Sequence, residues 1–451
     1  TVSGNTFLVG SNNSYDLSEA NSITGAGAAY FFEPSEGPGG VTLGLQTWLS
    51  SDTYVEISGS NVIEWGDRSK NGNVFKVAGT DYPTYNSSSI NYQPSLDFNN
   101  SYLEEVNPTI DSLSEGKTFF LVTADIQNSS AIKGVAFYVG DSVALPDGEN
   151  IGYGVQSVRL SGGGIYNPKM SGDFSNAPYE TVITCISNGD TDLLEDYLTS
   201  NNTTQLSAWD YYDQSPSFTP EPNLNYLAIG GKKRTDTGFN AALNGEISEI
   251  ILYNRELTTG ERRRVLTYLA AKYGVSLATD SSGSYGNYKA SSTSTIWDMS
   301  ADPSYNNEIL SLGRDDETTL LKKQTKSQND STVVYAGTLA TSNALNSATI
   351  STDVSYLIVG TNGTIRAATP SASTEIPSGS GLYSRMSEEW KVTNIGFSES
   401  FSVDIILPDA AITSQVNASD LRLLVDDDGD FSSGTTLVLS LIHISEPTRQ
   451  K

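Results

Sequence analysis

Short apolar stretches recur along the chain, many alternating hydrophobic with polar residues. Clusters of Ser, Thr, Asn and Gly separate them. Thr118-Phe119-Phe120-Leu121-Val122-Thr123, Ile247-Ser248-Glu249-Ile250-Ile251-Leu252-Tyr253, Tyr356-Leu357-Ile358-Val359 and Phe401-Ser402-Val403-Asp404-Ile405-Ile406-Leu407 are examples. β-Branched and aromatic residues at a period near two, bounded by turn formers, predict strands. Many such strands at short spacing predict an all-β sandwich or barrel.

One segment breaks the pattern. From Thr258 to Tyr273, Val265, Leu266, Leu269, Ala270 and Tyr273 fall on one helical stripe. Thr258 followed by Glu261 forms a capping box, and Gly274 stands where a left-handed C-cap is needed. Arg262, Arg263 and Arg264 lie early in this helix, at the unfavourable end of its dipole, and we assign them to a solvated face. After Ala278 the composition turns to Asp280-Ser281-Ser282-Gly283-Ser284-Tyr285-Gly286, which reads as a linker, so the helix closes a domain.

Composition narrows the function classes. The 451 residues allow roughly two to four domains at about 150 residues each. Lys and Arg total 26 against 53 Asp and Glu, a formal charge of −27. That balance argues against binding nucleic acid or docking on anionic membranes, both of which need cationic side chains. No apolar run approaches the roughly 18 residues of a membrane span. The single cysteine, Cys185, lies in the apolar run Thr181-Val182-Ile183-Thr184-Cys185-Ile186 and reads as a buried, inert thiol. With one cysteine and one histidine, His443, the sequence holds no Cys/His zinc constellation, and a Ser-His-Asp triad has one possible base. That histidine falls in Leu439-Ser440-Leu441-Ile442-His443-Ile444-Ser445-Glu446-Pro447-Thr448-Arg449, which resembles a translated sequencing adapter. The expectation is an artefactual tail over 439–451 and a natural chain that continues past Val438. The chain starts at Thr1, so we expect both ends to be open.

Two resemblances organise the rest. Gly245-Glu246-Ile247-Ser248-Glu249-Ile250-Ile251-Leu252-Tyr253-Asn254-Arg255-Glu256-Leu257, with the capped helix ending Tyr268-Leu269-Ala270-Ala271-Lys272-Tyr273-Gly274, resembles the C-terminal signature of bacterial laminin-G-like domains. These are concanavalin A-like jelly rolls. Leu45-Gln46-Thr47-Trp48-Leu49, Val62-Ile63-Glu64-Trp65-Gly66-Asp67-Arg68-Ser69-Lys70-Asn71-Gly72-Asn73 and Asn91-Tyr92-Gln93-Pro94-Ser95-Leu96-Asp97-Phe98 are similar to its N-terminal part, in order and spacing. Tyr305-Asn306-Asn307-Glu308-Ile309, Gly313-Arg314-Asp315-Asp316, Glu389-Trp390-Lys391-Val392 and Leu423-Leu424-Val425-Asp426-Asp427-Asp428-Gly429-Asp430-Phe431 resemble an uncharacterised β-rich module. That module follows laminin-G-like domains in large secreted, adhesin-like bacterial surface proteins. The resemblances imply an all-β fold: a concanavalin A-like jelly-roll sandwich with one short C-terminal helix, followed by a second β-sandwich-like module. The expected division is a preceding unit or extension over 1–40, the jelly roll over 41–279, a linker over 280–290 and the β-rich module over 291–438. They also imply extracellular display, and they supply no catalytic residues.

Four places carry candidate chemistry. Asp426, Asp428 and Asp430 place alternate carboxylates around Gly429, a pattern that can converge on Ca²⁺; an acidic turn is the competing account. Asp67-Arg68-Ser69-Lys70-Asn71-Gly72-Asn73 also alternates oxygen side chains, but its cations favour an Asx turn. Trp209, Tyr211, Tyr212 and Asp213 form the densest aromatic cluster, suited to stacking on sugar rings beside a carboxylate; a strand with Trp209 and Tyr211 facing the core is the favoured account. For hydrolysis, Glu246 and Glu249 are the nearest carboxylates at strand spacing, and their separation of three predicts opposite faces.

The reading that follows is a non-catalytic fragment of an extracellular bacterial surface protein. It is adhesin-like, binding a glycan or surface protein through the jelly roll, with calcium as the candidate cofactor and no nucleic-acid or membrane partner. A structural spacer of a long adhesin is the first alternative. A carbohydrate-active enzyme or its auxiliary binding domain is the second.

Overall fold

The computed structural model describes residues 7–11, 28–32, 36–77, 79–113, 116–125, 135–140, 152–156, 165–166, 169–170, 182–188, 194–200, 209–210, 224–234, 238–240, 242–277, 286–301, 303–327, 331–364, 368–369, 375–382, 384–406 and 421–438. The described fold is mostly β with one α-helix, Thr259–Tyr273. Its largest element is a 15-stranded, predominantly antiparallel sheet running from residue 45 to residue 253. The sheet curls on itself around Leu49, Val62, Trp65, Phe75, Leu96, Phe98, Phe119, Leu121, Phe137, Leu227, Ile250 and Leu252, all in one buried cluster. Curling lets one sheet act as both walls of a sandwich, so its apolar face is shed from water.

Strand Asn244–Tyr253 is the seam of this sheet. Along one edge it pairs first with Gln93–Asn99 and then with Leu45–Ser50; along the other it pairs with Lys117–Ala124. Lys117–Ala124 pairs in turn with Val182–Asn188. These strands are apolar on both faces. Phe119 and Leu121 point into the curled sheet, whereas Phe120, Val122 and Ala124 join a second cluster outside it. The unbroken run Phe119-Phe120-Leu121-Val122 is thereby explained: both of its sides are covered.

The helix supplies that outer cover. Thr258 caps it as the sequence indicates: its side chain accepts from the Glu261 backbone, Glu261 reaches back to the Thr258 backbone, and Gly274 closes it at φ 68°. Ten of its 15 residues are buried, too many for a helix with one dry face. One side packs on Trp48, Phe120, Val122, Ile251 and Tyr253 of the curled sheet. The other meets Tyr288, Ile296, Trp297, Ile309, Leu320, Tyr356 and Ile358.

Those last residues open the second region. A four-stranded sheet there has the order Leu320–Lys322, Asn307–Asp315, Ser355–Thr361, Trp390–Ile395. A three-stranded sheet has the order Gln324–Lys326, Thr332–Ala336, Phe401–Ile405. Leu310, Leu312, Val334, Ala336, Ile350, Leu357, Val359 and Phe397 form the core shared by these strands. The layers therefore run curled sheet, helix, sheet, sheet, with continuous apolar contact from the first to the third.

The arginine run corrects a sequence expectation. Arg262 is buried and donates to the Leu257 carbonyl at 2.7 Å. Arg263 donates to the carbonyls of Asn287, at 3.1 Å, and Gly286. Arg264 donates to the Ser291 carbonyl at 3.1 Å. The three guanidinium groups tie the chain on either side to the helix and do not form a solvated face. Residues 286–290, the described part of the expected linker, are held by these bonds, and Tyr288 and Ala290 are core residues. Cys185 is buried in the outer cluster. His443 and the rest of 439–451 lie outside the described residues.

Candidate functional site

The seam strand carries a β-bulge opposite the Val122–Thr123 step: Glu249 pairs with Val122 and Ile247 with Thr123, leaving Ser248 as the extra residue. A bulge shifts the side-chain phase by one. Ile247 and Ile250, three apart, both enter the inner core. Glu246 and Glu249 consequently emerge on the same outer face, where their strand partners are Ala124 and Val122. The expectation of opposite faces is overturned. The spacing of Ile247 and Ile250 was a sequence signal for this, since inward-facing apolar residues of a regular strand are two apart.

Sharing a face does not make the two carboxylates a catalytic pair. Glu249 is fully buried beneath the helix. It accepts from Trp48 Nε1 at 2.8 Å, Tyr268 Oη at 2.7 Å, Tyr273 Oη at 2.8 Å and Lys272 Nζ at 3.0 Å. Lys272 also donates to Ser50 Oγ at 2.7 Å and pairs with Asp52 at 3.1 Å. Burial opposes the charge on Lys272, but Asp52 and Glu249 outweigh it and raise its pKa well above the usual value. Burial likewise opposes the charge of Asp52, yet Lys272 and the Ser50 hydroxyl hold its carboxyl down at about 2. This is a closed ion cluster whose donors are committed, and Glu249 has no exposed surface to offer a substrate.

Glu246 lies where the helix no longer covers the sheet. It is half-buried and accepts from Asn86 Nδ2 at 3.1 Å, Ser89 Oγ at 2.6 Å and Ser95 Oγ at 3.0 Å. Asp97 is its direct cross-strand partner. Burial, then the charges of Glu246 and Asp125, push the Asp97 carboxyl up from its ordinary value. The result is an outward-facing polar patch on rigid strands: two adjacent carboxylates, one amide and a serine hydroxyl. Such groups can accept from and donate to the hydroxyls of a polar ligand. This patch is not legible in the sequence, because Asp97 and Glu246 are far apart in the chain and only strand register joins them.

The other sequence candidates resolve as follows. Asp67 is buried and accepts from the backbone of Trp48 and of Ser69, each at 2.8 Å, so it organises a turn. Neighbouring Arg68 lies over the Trp48 ring at 4.0 Å. Asp426 accepts from the backbone N–H groups of Asp428 and Gly429, at 3.0 and 2.9 Å. Asp428 accepts from Asp430 N at 2.9 Å, and Asp430 from Ser432 N at 3.0 Å. The loop thus closes through its own amides. Among the described residues, no group of three or more His, Cys, Asp or Glu side chains is arranged to hold a metal ion. Trp209 begins a two-residue strand, Trp209–Asp210, that pairs with Lys169–Met170. Tyr211, Tyr212 and Asp213 lie outside the described residues.

No protein of curated function matches this sequence. Among solved structures, the chain is similar to a Trypanosoma rangeli sialidase bound to 2,3-difluoro-KDN. That match has 12% identity over 57% of this chain and 36% of the sialidase, with a TM-score of 0.31. It is also similar to an arabinofuranosidase complexed with arabinofuranosyl-α-1,2-xylobiose, at 11% identity over 49% of this chain and 52% of that one, TM-score 0.30. A GH54 α-L-arabinofuranosidase soaked with a cyclic sulfate inhibitor gives 12% identity, the same coverage and a TM-score of 0.31. The chain spans about a third of the sialidase and about half of the arabinofuranosidases. These are distant likenesses of β-fold, and no inference about activity is drawn from them. A family match covers residues 261–448, beginning within the helix and running past Val438. The matching model is described as a domain of unknown function, DUF8202.

Proposed function

We propose that the chain is a non-catalytic binding segment of an extracellular bacterial surface protein, in which a laminin-G-like curled sheet presents a polar patch to a glycan. The observation that carries this reading is the outward row of Asp97, Glu246, Asn86 and Ser89 on neighbouring strands. Two carboxylates beside an amide and a hydroxyl match the alternating donors and acceptors of sugar hydroxyls. The sealing of Glu249 by Lys272 removes the Glu246–Glu249 pair from acid–nucleophile chemistry. In the same proposal, Trp209, Tyr211, Tyr212 and Asp213 supply an aromatic stacking surface, and calcium bound at Asp426, Asp428 and Asp430 stiffens the C-terminal loop.

A glycan array probed with the whole chain, with calcium and again with chelator, tests the reading. Selective binding is expected, weakened about tenfold or more by Glu246→Gln or Asp97→Asn, the effect of losing a charged hydrogen-bond acceptor. Trp209→Ala and Tyr211→Ala test the aromatic surface in the same assay. Binding that all four variants leave intact would move the site elsewhere. A folded chain that binds no glycan in either condition would favour the spacer role, which the stiff joint between its two regions also suits.

A further inference from the structure

The helix Thr259–Tyr273 has a sheet on each side, so the family-matched region begins inside the core of the region before it. A second set of contacts closes the same joint. The hairpin tip Asn91–Tyr92 turns with both residues left-handed, at φ 47° and 65°, and inserts into the C-terminal region. Lys322, fully buried, donates to the Asn91 carbonyl at 2.6 Å, and the Asn343 backbone donates to the Tyr92 carbonyl at 2.9 Å. The Asn91 side chain donates to Thr325 Oγ1 at 3.0 Å and accepts from the Lys326 backbone at 2.9 Å. Arg68 donates to Thr319 Oγ1 at 2.8 Å, and the Gly37 backbone to the Glu317 carbonyl at 3.0 Å. Domains in one chain move relative to each other unless the surface between them is large and apolar. Here that surface is a shared hydrophobic cluster ringed by hydrogen bonds to buried backbone.

We infer that the family-matched region 261–448 is not a free-standing domain: its helix-bearing underside is a permanent interface for the outer face of an antiparallel sheet, supplied here by residues 45–253, and the two regions fold as one cooperative unit. A boundary drawn after residue 279 would strip Tyr288, Trp297, Ile309 and Ile358 of the helix and sheet that cover them. This inference rests on the joint alone and is independent of the proposed glycan binding.

Hydrogen exchange of the whole chain in increasing urea tests it, following peptides from strand Lys117–Ala124 and from strand Ser355–Thr361. Both are expected to lose protection at one urea midpoint. Leu96→Ala, in the inner core of the curled sheet, is expected to lower both midpoints equally. Leu312→Ala, in the C-terminal core, is expected to do the same from the other side. If Leu96→Ala prevents folding, the smaller deletion Val62→Ala gives the same readout. Midpoints that separate in the wild type, or that shift only in the region carrying the substitution, would overturn the inference.

Discussion

Glu249 and Lys272 carry opposite charges in a place where neither could survive alone. The strand alternation around Glu249 gives no reason for a buried acid; four donors from two elements, strand Leu45–Ser50 and the helix, provide it. Removing Glu249 would leave buried Lys272 with Asp52 as its remaining counter-charge and the Trp48, Tyr268 and Tyr273 donors without their carboxylate. Glu249→Gln is accordingly expected to cost about 3–5 kcal/mol, read from the shift in urea midpoint. Lys322 is the opposite case. Burial, reinforced by the charge of Lys272, pushes its amine well below the usual lysine range, and its bond to Asn91 asks for no charge. Below pH 10.5 the unfolded lysine holds a proton that the folded one gives up. The unfolded state therefore binds more protons, and stability rises with pH. The stability of the wild type relative to Lys322→Met should climb as pH approaches 10.5, by at most about 1.4 kcal/mol per unit. A gap that stays flat with pH would mean that Lys322 keeps its proton when folded.

The helix and the bulged strand are the elements on which the architecture turns, and they were legible to different degrees. The helix ends were plain in the sequence, because caps are local chemistry: Thr258, Glu261 and Gly274 act within a few residues of themselves. Its environment was not. A single apolar stripe suggested one dry face, whereas ten of its residues are buried; Lys272 is received by Ser50, Asp52 and Glu249 of the curled sheet, and Arg262 by the Leu257 carbonyl. Gly274 has a double role. It needs a left-handed backbone, and a Cβ there would collide with the Asn91 amide at the hairpin tip. Gly274→Ala is expected to lower thermal stability by more than the roughly 1 kcal/mol of backbone strain alone. Asn91→Ala in the same background should recover part of the loss by removing the collision. The bulge at Ser248 lay half in view: the Ile247–Ile250 spacing broke the strand period, but the side to which Glu246 turned depended on the pairing with Lys117–Ala124.

Across the whole molecule, a shared core replaces the linker suggested by composition. Ser- and Gly-rich segments usually separate domains, yet here residues 286–290 are drawn onto the helix by Arg263 and Tyr288. Acid should act on this assembly through the two carboxylates held lowest at its joint. Hydrogen bonds from Arg255 hold Glu261 down at about 2 despite its partial burial, and Asp52 stands at a similar value beside Lys272. Their stabilising effect is complete above the unfolded carboxylate range and is lost as pH falls toward 2. Far- and near-ultraviolet circular dichroism should therefore report a single acid transition below about pH 4 that removes helix and tertiary signal together. A helix signal that disappears first, with the sheet intact, would contradict the layered core.

The sequence by itself determined the strand-rich class, the one capped helix, the buried thiol and the acidic balance. Each of these depends on composition or on neighbours within a turn or two of chain. Tertiary structure alone decided that Glu246 and Glu249 share a face, that one of them is sealed and the other open, that Asp97 stands beside the open one, and that a helix read as closing one domain is the middle layer of two. Those outcomes depend on register, on a single inserted residue and on what lies across a sheet, and pairings between distant segments set all three.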